Sequence, residues 1–464
     1  GYGFVGGFGL MNKLYGAVAC VAALCLPIFV QAQDLEWKTV TKYNKAESKK
    51  QLTDRFTKYV TFNTQSNDQT DKVPSTPGQV KLAKALAKEL KKYGAKNVKI
   101  DAHAIVTGEI PATSANSSAV VAFLAHMDTA LEVSGKDVQP QVHKNYQGGD
   151  IVINAEKKLV INPANSPQLS RARGHDIITA SGGTLLGADD KTGIAVIMTM
   201  VQYLYDHPEL EHGLIKVAFT PDEEVGTGAG KMDVAAFGAD YAYTLDGSDL
   251  GQLTDETFNA KSFTAVFKGL RAVHPGEAMN SAFADNLLMA SDFHTLLPRQ
   301  SRPENTAGRR GFILVDSIVT NGDESTVKGI IRAFTDEEMQ GFVSEVTRAF
   351  NTVKAMNYKG TGFELTFEDQ YKNMKTVLPA QVVNLAETAM RQEDITPRRM
   401  AARGGTDGST LSFMGLPTPD IFSGQYNLHS EREYADVDVM EASLRTVLRL
   451  ITLWNMQPVP QAEK

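Results

Sequence analysis

Short apolar runs of strand-forming residues recur along this chain, and each stops at a carboxylate or an imidazole. The run 119–125 leads into His126-Met127-Asp128, 216–220 into Pro221-Asp222-Glu223-Glu224, and 241–245 into Asp246. An acidic pair, Asp189 and Asp190, stands between glycines before a further apolar run, and His429 follows much later in Asn427-Leu428-His429-Ser430-Glu431. In an α/β fold, ligands gather at the C-terminal ends of parallel strands. Residues this far apart in sequence are therefore expected to meet at one site. Two histidines (His126, His429) and three carboxylates (Asp189, Glu224, Asp246) form a hard-to-borderline donor set that suits paired zinc ions. A hydrolase is the leading expectation.

The elements around these residues fit that reading. Helices are expected over 45–62 and, strongly amphipathic, over 79–93, ending at Gly94. An edge strand is expected at 98–103, loops with short strands over 131–180, a helix over 192–205, and strands at 214–220 and 239–245. The pattern then changes. Strand 263–267, helix 286–297, strands 312–320 and 327–334, helix 336–356 and strand 362–370 make a β-α-β-β-α-β unit, which suits a separate antiparallel layer with helices on one side. Helices 380–391 and 437–454 restore α/β character. A chain of 464 residues accommodates two domains. The simplest organisation is a catalytic domain in two parts, 33–252 and 373–464, interrupted by an inserted α+β domain, 253–372.

Residues 1–10 are Gly-rich, precede Met11, and read as cloning or upstream-translation residues. Lys13, the apolar run 17–30 and Val30-Gln31-Ala32 form a three-part secretory signal, with cleavage expected after Ala32. The apolar run is short of the roughly 20 residues of a membrane span; an uncleaved N-terminal anchor is the alternative. The expected location is outside the cytoplasm, periplasmic or secreted, without stable membrane insertion after cleavage. Both cysteines, Cys20 and Cys25, lie in that segment, so the mature chain would have neither disulfide nor thiol chemistry. A net charge of −7 argues against general nucleic-acid binding and against an anionic membrane surface as partner.

Each motif also has an ordinary structural reading. A histidine after an apolar strand commonly serves packing, Asp at a helix start commonly caps it, and Glu-Glu is commonly a solvated loop. Together they point elsewhere. His126 and Asp128, two apart on a strand end, should face the same way, so Asp128 can fix the imidazole tautomer. Adjacent Asp189 and Asp190 repel unless a cation relieves them; Asp189 is the candidate bridge and Asp190 the candidate for the loop or helix end. Of Glu223 and Glu224, one can bind metal while the other takes a proton from activated water.

These motifs resemble peptidase T, the tripeptide aminopeptidases among the co-catalytic di-zinc exopeptidases. The resemblance rests on A-H-M-D-T-A (125–130), T-L-L-G-A-D-D-K-T-G-I-A (184–195), F-T-P-D-E-E-V-G-T-G-A (219–229), Y-T-L-D-G (243–247), A-V-H-P-G-E-A (272–278), G-I-I-R-A-F (329–334), R-G-G-T-D-G-S-T-L-S-F-M-G-L-P (403–417) and N-L-H-S-E-R-E-Y (427–434). It implies an α/β zinc-exopeptidase-like domain with a mixed central sheet, interrupted by a lid or dimerisation-type domain. It implies two zinc ions, one held by His126, Asp189 and Asp246, the other by Asp189, Glu224 and His429. Glu223 would be the general base and Asp128 would orient His126. His274 would help polarise the scissile carbonyl, in some relatives across a dimer, while Arg332 and Arg403 would hold the substrate carboxylate. A turn His, a strand Arg and a loop Arg are the ordinary readings of those three. The expected substrate is a short peptide and the expected assembly a homodimer through the inserted domain. A related di-zinc carboxypeptidase or N-acyl amino acid deacylase is the alternative enzyme, and a peptide-binding protein with a spent site the alternative of another class.

Overall fold

Strand Val121–His126 is buried along its whole length, as its unbroken apolar run requires. Side chains alternate across it: Val121, Phe123 and Ala125 face one core, Ala122 and Leu124 another. In the computed structural model, which describes residues 36–116, 118–356 and 359–458, this strand pairs in parallel with Ile215–Thr220 on one side and Tyr241–Gly247 on the other. They form the middle of an eight-stranded mixed sheet whose order is Lys96–Ile100, Val106–Ile110, Ile215–Thr220, Val121–His126, Tyr241–Gly247, Asp420–Phe422, Gln252–Glu256, Arg398–Ala401.

Helix Ala188–Asp206 is apolar on nearly every side and lies under the two central strands. Helices Val437–Trp454 and Lys45–Tyr59 pack against it, and Ala380–Gln392 against Val437–Trp454, around Phe123, Phe219, Ile194, Val447 and Ile451. Phe237, Leu411 and Leu416 cover the opposite face. The sheet is thus a middle layer between helices, with its parallel strand ends open at one rim.

A second layer has its own core. Strands Phe312–Asn321, Glu324–Ala333, Asn259–Lys268 and Gly362–Tyr371 form an antiparallel sheet in that order, backed by helices Asn286–Leu296 and Asp336–Ala355. Phe263, Phe267, Phe293 and Phe350 interlock there, with ring centroids 5.4–6.1 Å apart. Such edge-on and tilted pairs contribute about 0.5–1.5 kcal/mol each beyond area burial. This is the expected β-α-β-β-α-β order.

The structure corrects the expected elements in two places. Strand Gln252–Glu256 belongs to the large sheet, pairing with Asp420–Phe422 and Arg398–Ala401, so the crossover to the second layer lies beyond Glu256 and not at 252/253. Strand Arg398–Ala401 itself was not foreseen, because Arg398 and Arg399 in an exposed edge carry no apolar alternation. The helix expected from 192 is entered at Ala188 through a kink: Asp189 (ψ 105°) and Asp190 (φ −119°) are non-helical, and the regular helix runs on from there, close to the expected start. In the stretch 131–180, Gln141–His143 and Ile177–Thr179 join Tyr434–Asp436 and Gln425–Tyr426 in a small sheet. The expected upstream residues and secretory signal, residues 1–32, lie outside the described residues. Among the described residues, no helix is long and apolar enough to cross a membrane.

Candidate metal centre

The open rim of the large sheet gathers the predicted donors. His126 ends its strand, and its Nε2 lies 2.8 Å from Asp189 Oδ1 and 3.7 Å from Asp246 Oδ1. His429 arrives from the C-terminal part of the chain; its Nε2 lies 3.3 Å from Asp189 Oδ2 and 3.0 Å from Glu224 Oε2. Each oxygen of Asp189 therefore faces a different imidazole, the arrangement a bridging carboxylate needs. Donor atoms of His126, Asp189 and Glu224, and separately of His126, Asp190 and Asp246, lie within 4.8 Å of one another. Glu224 Oε1 and His126 Nδ1 are buried without hydrogen-bond partners, although His126 Nδ1 stands 3.3 Å from Asp128 Oδ1 at an unfavourable angle. Buried polar atoms are rarely left unpaired. Orphaned donor atoms amid clustered carboxylates fit a pair of divalent cations.

The electrostatics agree. Burial, and then the nearby Asp189 charge, push Glu224 up to about 7. The same two causes push Asp246 up to about 6. Burial also raises Glu223 well above the ordinary carboxylate range, with Asp246, Asp407 and Glu224 adding to it. Asp189 goes the other way: burial pulls it upward, but hydrogen bonds from His126 and His429 outweigh that. Hydrogen bonds to Asp189 and Glu224 raise His429 to about 11.

Asp128 does more than face His126. Its Oδ1 accepts the Glu223 amide at 3.0 Å and its Oδ2 the Glu224 amide at 3.1 Å. One buried carboxylate thus sets the loop of the acidic pair and stands 3.3 Å from the His126 imidazole. Asp190 takes the helix-end role, accepting the amides of His126 and Gly193 at 3.2 Å each.

Residues without an early signal complete the frame. Asp222, at φ +51°, accepts from Ser75 N, Ser75 Oγ and Gln79 Nε2 at 2.5–2.6 Å and fixes the loop from the other side. Asp420 accepts the Asp246 amide at 2.8 Å, and Gln425 donates to Asp246 Oδ1 at 2.9 Å. Asp407, in the quoted R-G-G-T-D-G motif, accepts from Thr220 Oγ1 at 2.6 Å and is pushed up to about 7 by burial. Its place in a Gly-rich acidic turn was the one available cue.

The centre opens on a cleft of about 830 Å³ lined by Glu223, Glu224, Tyr371, Asp407, Thr410 and Phe413, among others. Tyr371 comes from the inserted sheet, so the cleft lies between the two domains. Arg332 sits one step behind the wall, its guanidinium 5.2 Å from the Tyr371 ring and its Nη1 donating to the Lys261 and Ile331 carbonyls. Arg403 differs from expectation. Its Nη1 donates to the carbonyls of Gly308 and Arg310 at 3.0 and 2.7 Å, its Nη2 to Thr306 Oγ1 at 2.9 Å, and its plane lies over Phe258 and Phe312. The guanidinium fork is used to hold the inserted domain's loop. His274 stands in an exposed turn, where its Nδ1 accepts the Gly276 amide at 3.1 Å. Among the described residues it makes no hydrogen bond or ion pair with the metal donors.

Comparison with known proteins follows the same lines. The sequence profile of Peptidase family M20/M25/M40 matches residues 178–453. The Peptidase T of Geobacillus sp. (strain WCH70) is 43% identical over 411 residues, covering 88% of this chain and 100% of that protein. Among solved structures, the aminopeptidase PepT of Bacillus cereus superposes with a TM-score of 0.67 at 20% identity, covering 87% of this chain and 98% of that one. A tripeptidase of Staphylococcus aureus superposes with a TM-score of 0.68 at 19% identity, covering 88% and 99%. The last two similarities show the shared fold.

Proposed function

This chain belongs to Peptidase family M20/M25/M40, in its peptidase T group, and on that footing we propose that it removes the N-terminal residue from short peptides, tripeptides foremost, with two zinc ions. His126, Asp189 and Asp246 would hold one ion and Asp189, Glu224 and His429 the other. Bound there, the ions would supply Lewis acidity to the scissile carbonyl and acidify an attacking water.

The protein's own residues supply the rest. Glu223 stands beside the donors at the cleft, and its raised proton affinity suits it to take a proton from water and return it to the leaving amine. Asp128 keeps Glu223 and Glu224 in register by their amides. Arg332, next to Tyr371 of the cleft wall, is proposed to take the substrate's far carboxylate. Arg403 is proposed to act on that end of the cleft by holding the loop 306–310. His274 is proposed to reach the carbonyl from the inserted domain, of the same subunit or of a dimeric partner. Export is proposed from the sequence pattern of residues 11–32 alone.

The observation that carries this reading is the convergence of five candidate donors from five separate segments, with Glu223 beside Glu224 on the cleft wall. The deciding experiment incubates zinc-loaded protein with free di-, tri- and tetrapeptides and their N-acetylated forms. Release of the N-terminal residue from free tripeptides is expected. Faster cleavage of the N-acetylated forms would replace the aminopeptidase with a deacylase or carboxypeptidase.

A further inference from the structure

Glu433 is 1% exposed, and its carboxylate is filled by backbone amides of a distant loop. Oε2 accepts from Leu186 N and from Gly187 N at 2.7 Å each, and Oε1 accepts from Asp189 N at 3.0 Å. Gly187 makes this possible at φ +83°, a conformation that turns successive N–H groups inward around an anion. Glu433 lies just after His429 in sequence, and its own amide donates to Ser430 O at 3.2 Å. The loop it closes is irregular: Asn427 and His429 have φ of +52° and +59°. The residue following it, Tyr434, pairs with Thr179 in the small sheet, which leads into the Asp189 loop. The C-terminal end of the His429 loop is thus tied to the segment that carries Asp189 at two successive residues.

We propose that Glu433 is a positioning residue that holds the Asp189 loop and the His429 loop in one frame, and so sets the distance between the two metal positions that Asp189 spans. Among the described residues, no other residue of the His429 loop makes three hydrogen bonds to the backbone of the loop that carries Asp189. Three amides offset part of the cost of placing a carboxylate in the interior, although burial still pushes it up to about 7, and Lys191, buried nearby, lies close enough to feel its charge. Neither oxygen is turned to the cleft, so the residue acts on substrate only through the ligands it places.

The inference rests on the two-metal reading, and its test is separable from the peptidase reading. Apoprotein of the wild type, Glu433→Gln and Glu433→Asp is titrated with Zn²⁺ and with Co²⁺ against a chelator, and the Co²⁺ visible bands are recorded. Gln matches the volume but turns an NH₂ towards the amides; Asp keeps the charge on a shorter arm. Glu433→Gln is expected to weaken the second ion by about tenfold to a hundredfold, as changes behind metal ligands typically do, and to alter the Co²⁺ bands. On peptides its kcat should fall while KM stays within a few-fold, and added metal should restore part of kcat. Glu433→Asp should lie between. Should Glu433→Gln not fold, the Glu433→Asp isotherm decides alone. Unchanged metal affinities and Co²⁺ bands in a folded variant, even with lowered thermal stability, would reduce Glu433 to a structural residue and overturn the proposal. Should the wild type take up fewer than two ions, the two-metal reading fails first.

Discussion

A single carboxylate, Glu223, is proposed to separate proton transfer from metal binding at this centre. It lines the cleft, its amide is held by Asp128, and among the described residues no hydrogen bond ties its side chain to the candidate metal donors. Glu223→Ala should therefore lower turnover by about 10²–10⁴-fold, the typical contribution of a positioned acid–base group, while zinc content stays near that of the wild type. Metal analysis alongside peptide hydrolysis checks this; joint loss of zinc and activity would show that Glu223 is a ligand. The neighbouring residues were legible for a local reason. The two-residue spacing of His126 and Asp128 put them on one side of a strand end, and adjacent acids next to glycines called for a cation. The hold of Asp128 on the Glu223 and Glu224 amides was not legible, since it spans 95 and 96 positions in sequence.

Among the elements, strand Glu324–Ala333 carries Arg332 to the back of Tyr371, whose ring it overlies. A charge-assisted hydrogen bond from this guanidinium to a substrate carboxylate is worth about 1.5–3 kcal/mol. Amidating the C-terminus of a tripeptide should then cost roughly tenfold to a hundredfold in kcat/KM. Arg332→Ala should show a similar loss on the free tripeptide and little further loss on the amide. Independent, additive effects in that double cycle would remove Arg332 from carboxylate recognition. Periodicity located this strand and its partners well, because one face of each is apolar and one is wet. It could not show what each arginine touches: only the packing sets Arg332 against Tyr371 and the Lys261 and Ile331 carbonyls, and Arg403 against the Gly308 and Arg310 carbonyls.

At the scale of the whole molecule, the two domains are latched at Glu256. This buried carboxylate, at the end of its strand in the large sheet, accepts from both Nη groups of Arg309 in the inserted domain, and from Asn373 Nδ2 at 3.1 Å. Burial raises its pKa, but the hydrogen bonds from Arg309 and Asn373 outweigh burial and hold it below its ordinary 4.5. A carboxyl depressed by folding contributes its full stability above the unfolded value and loses it as pH falls through the folded one. The latch should thus be intact above about pH 4.5 and weaken below it. Melting curves of wild type and Glu256→Gln from pH 3 to pH 7 should converge at the acid end and separate near neutrality. A constant gap across that range would rule the latch out as the cause. Export belongs to this scale too: the mature N-terminus is expected near Gln33, and N-terminal sequencing of protein from cell fractions checks it. Full-length chain in the cytosol would overturn the signal reading.

Side-chain identity and short-range periodicity were enough to single out the candidate metal donors, the acidic pair Glu223 and Glu224, the α/β class and the inserted β-α-β-β-α-β unit; the choice of Glu223 as candidate base came from the resemblance to peptidase T. The donor chemistry belongs to the residue types themselves, and the alternation of apolar and polar positions reports which face is buried. Long-range partnership is of a different kind. Whether Glu433 meets the amides of Leu186, Gly187 and Asp189, whether Arg403 points at a ligand or a carbonyl, and where Gln252–Glu256 leaves the large sheet all depend on strand order and loop path. A buried carboxylate takes whichever donors the folded backbone presents to it, and those donors come into being with the fold.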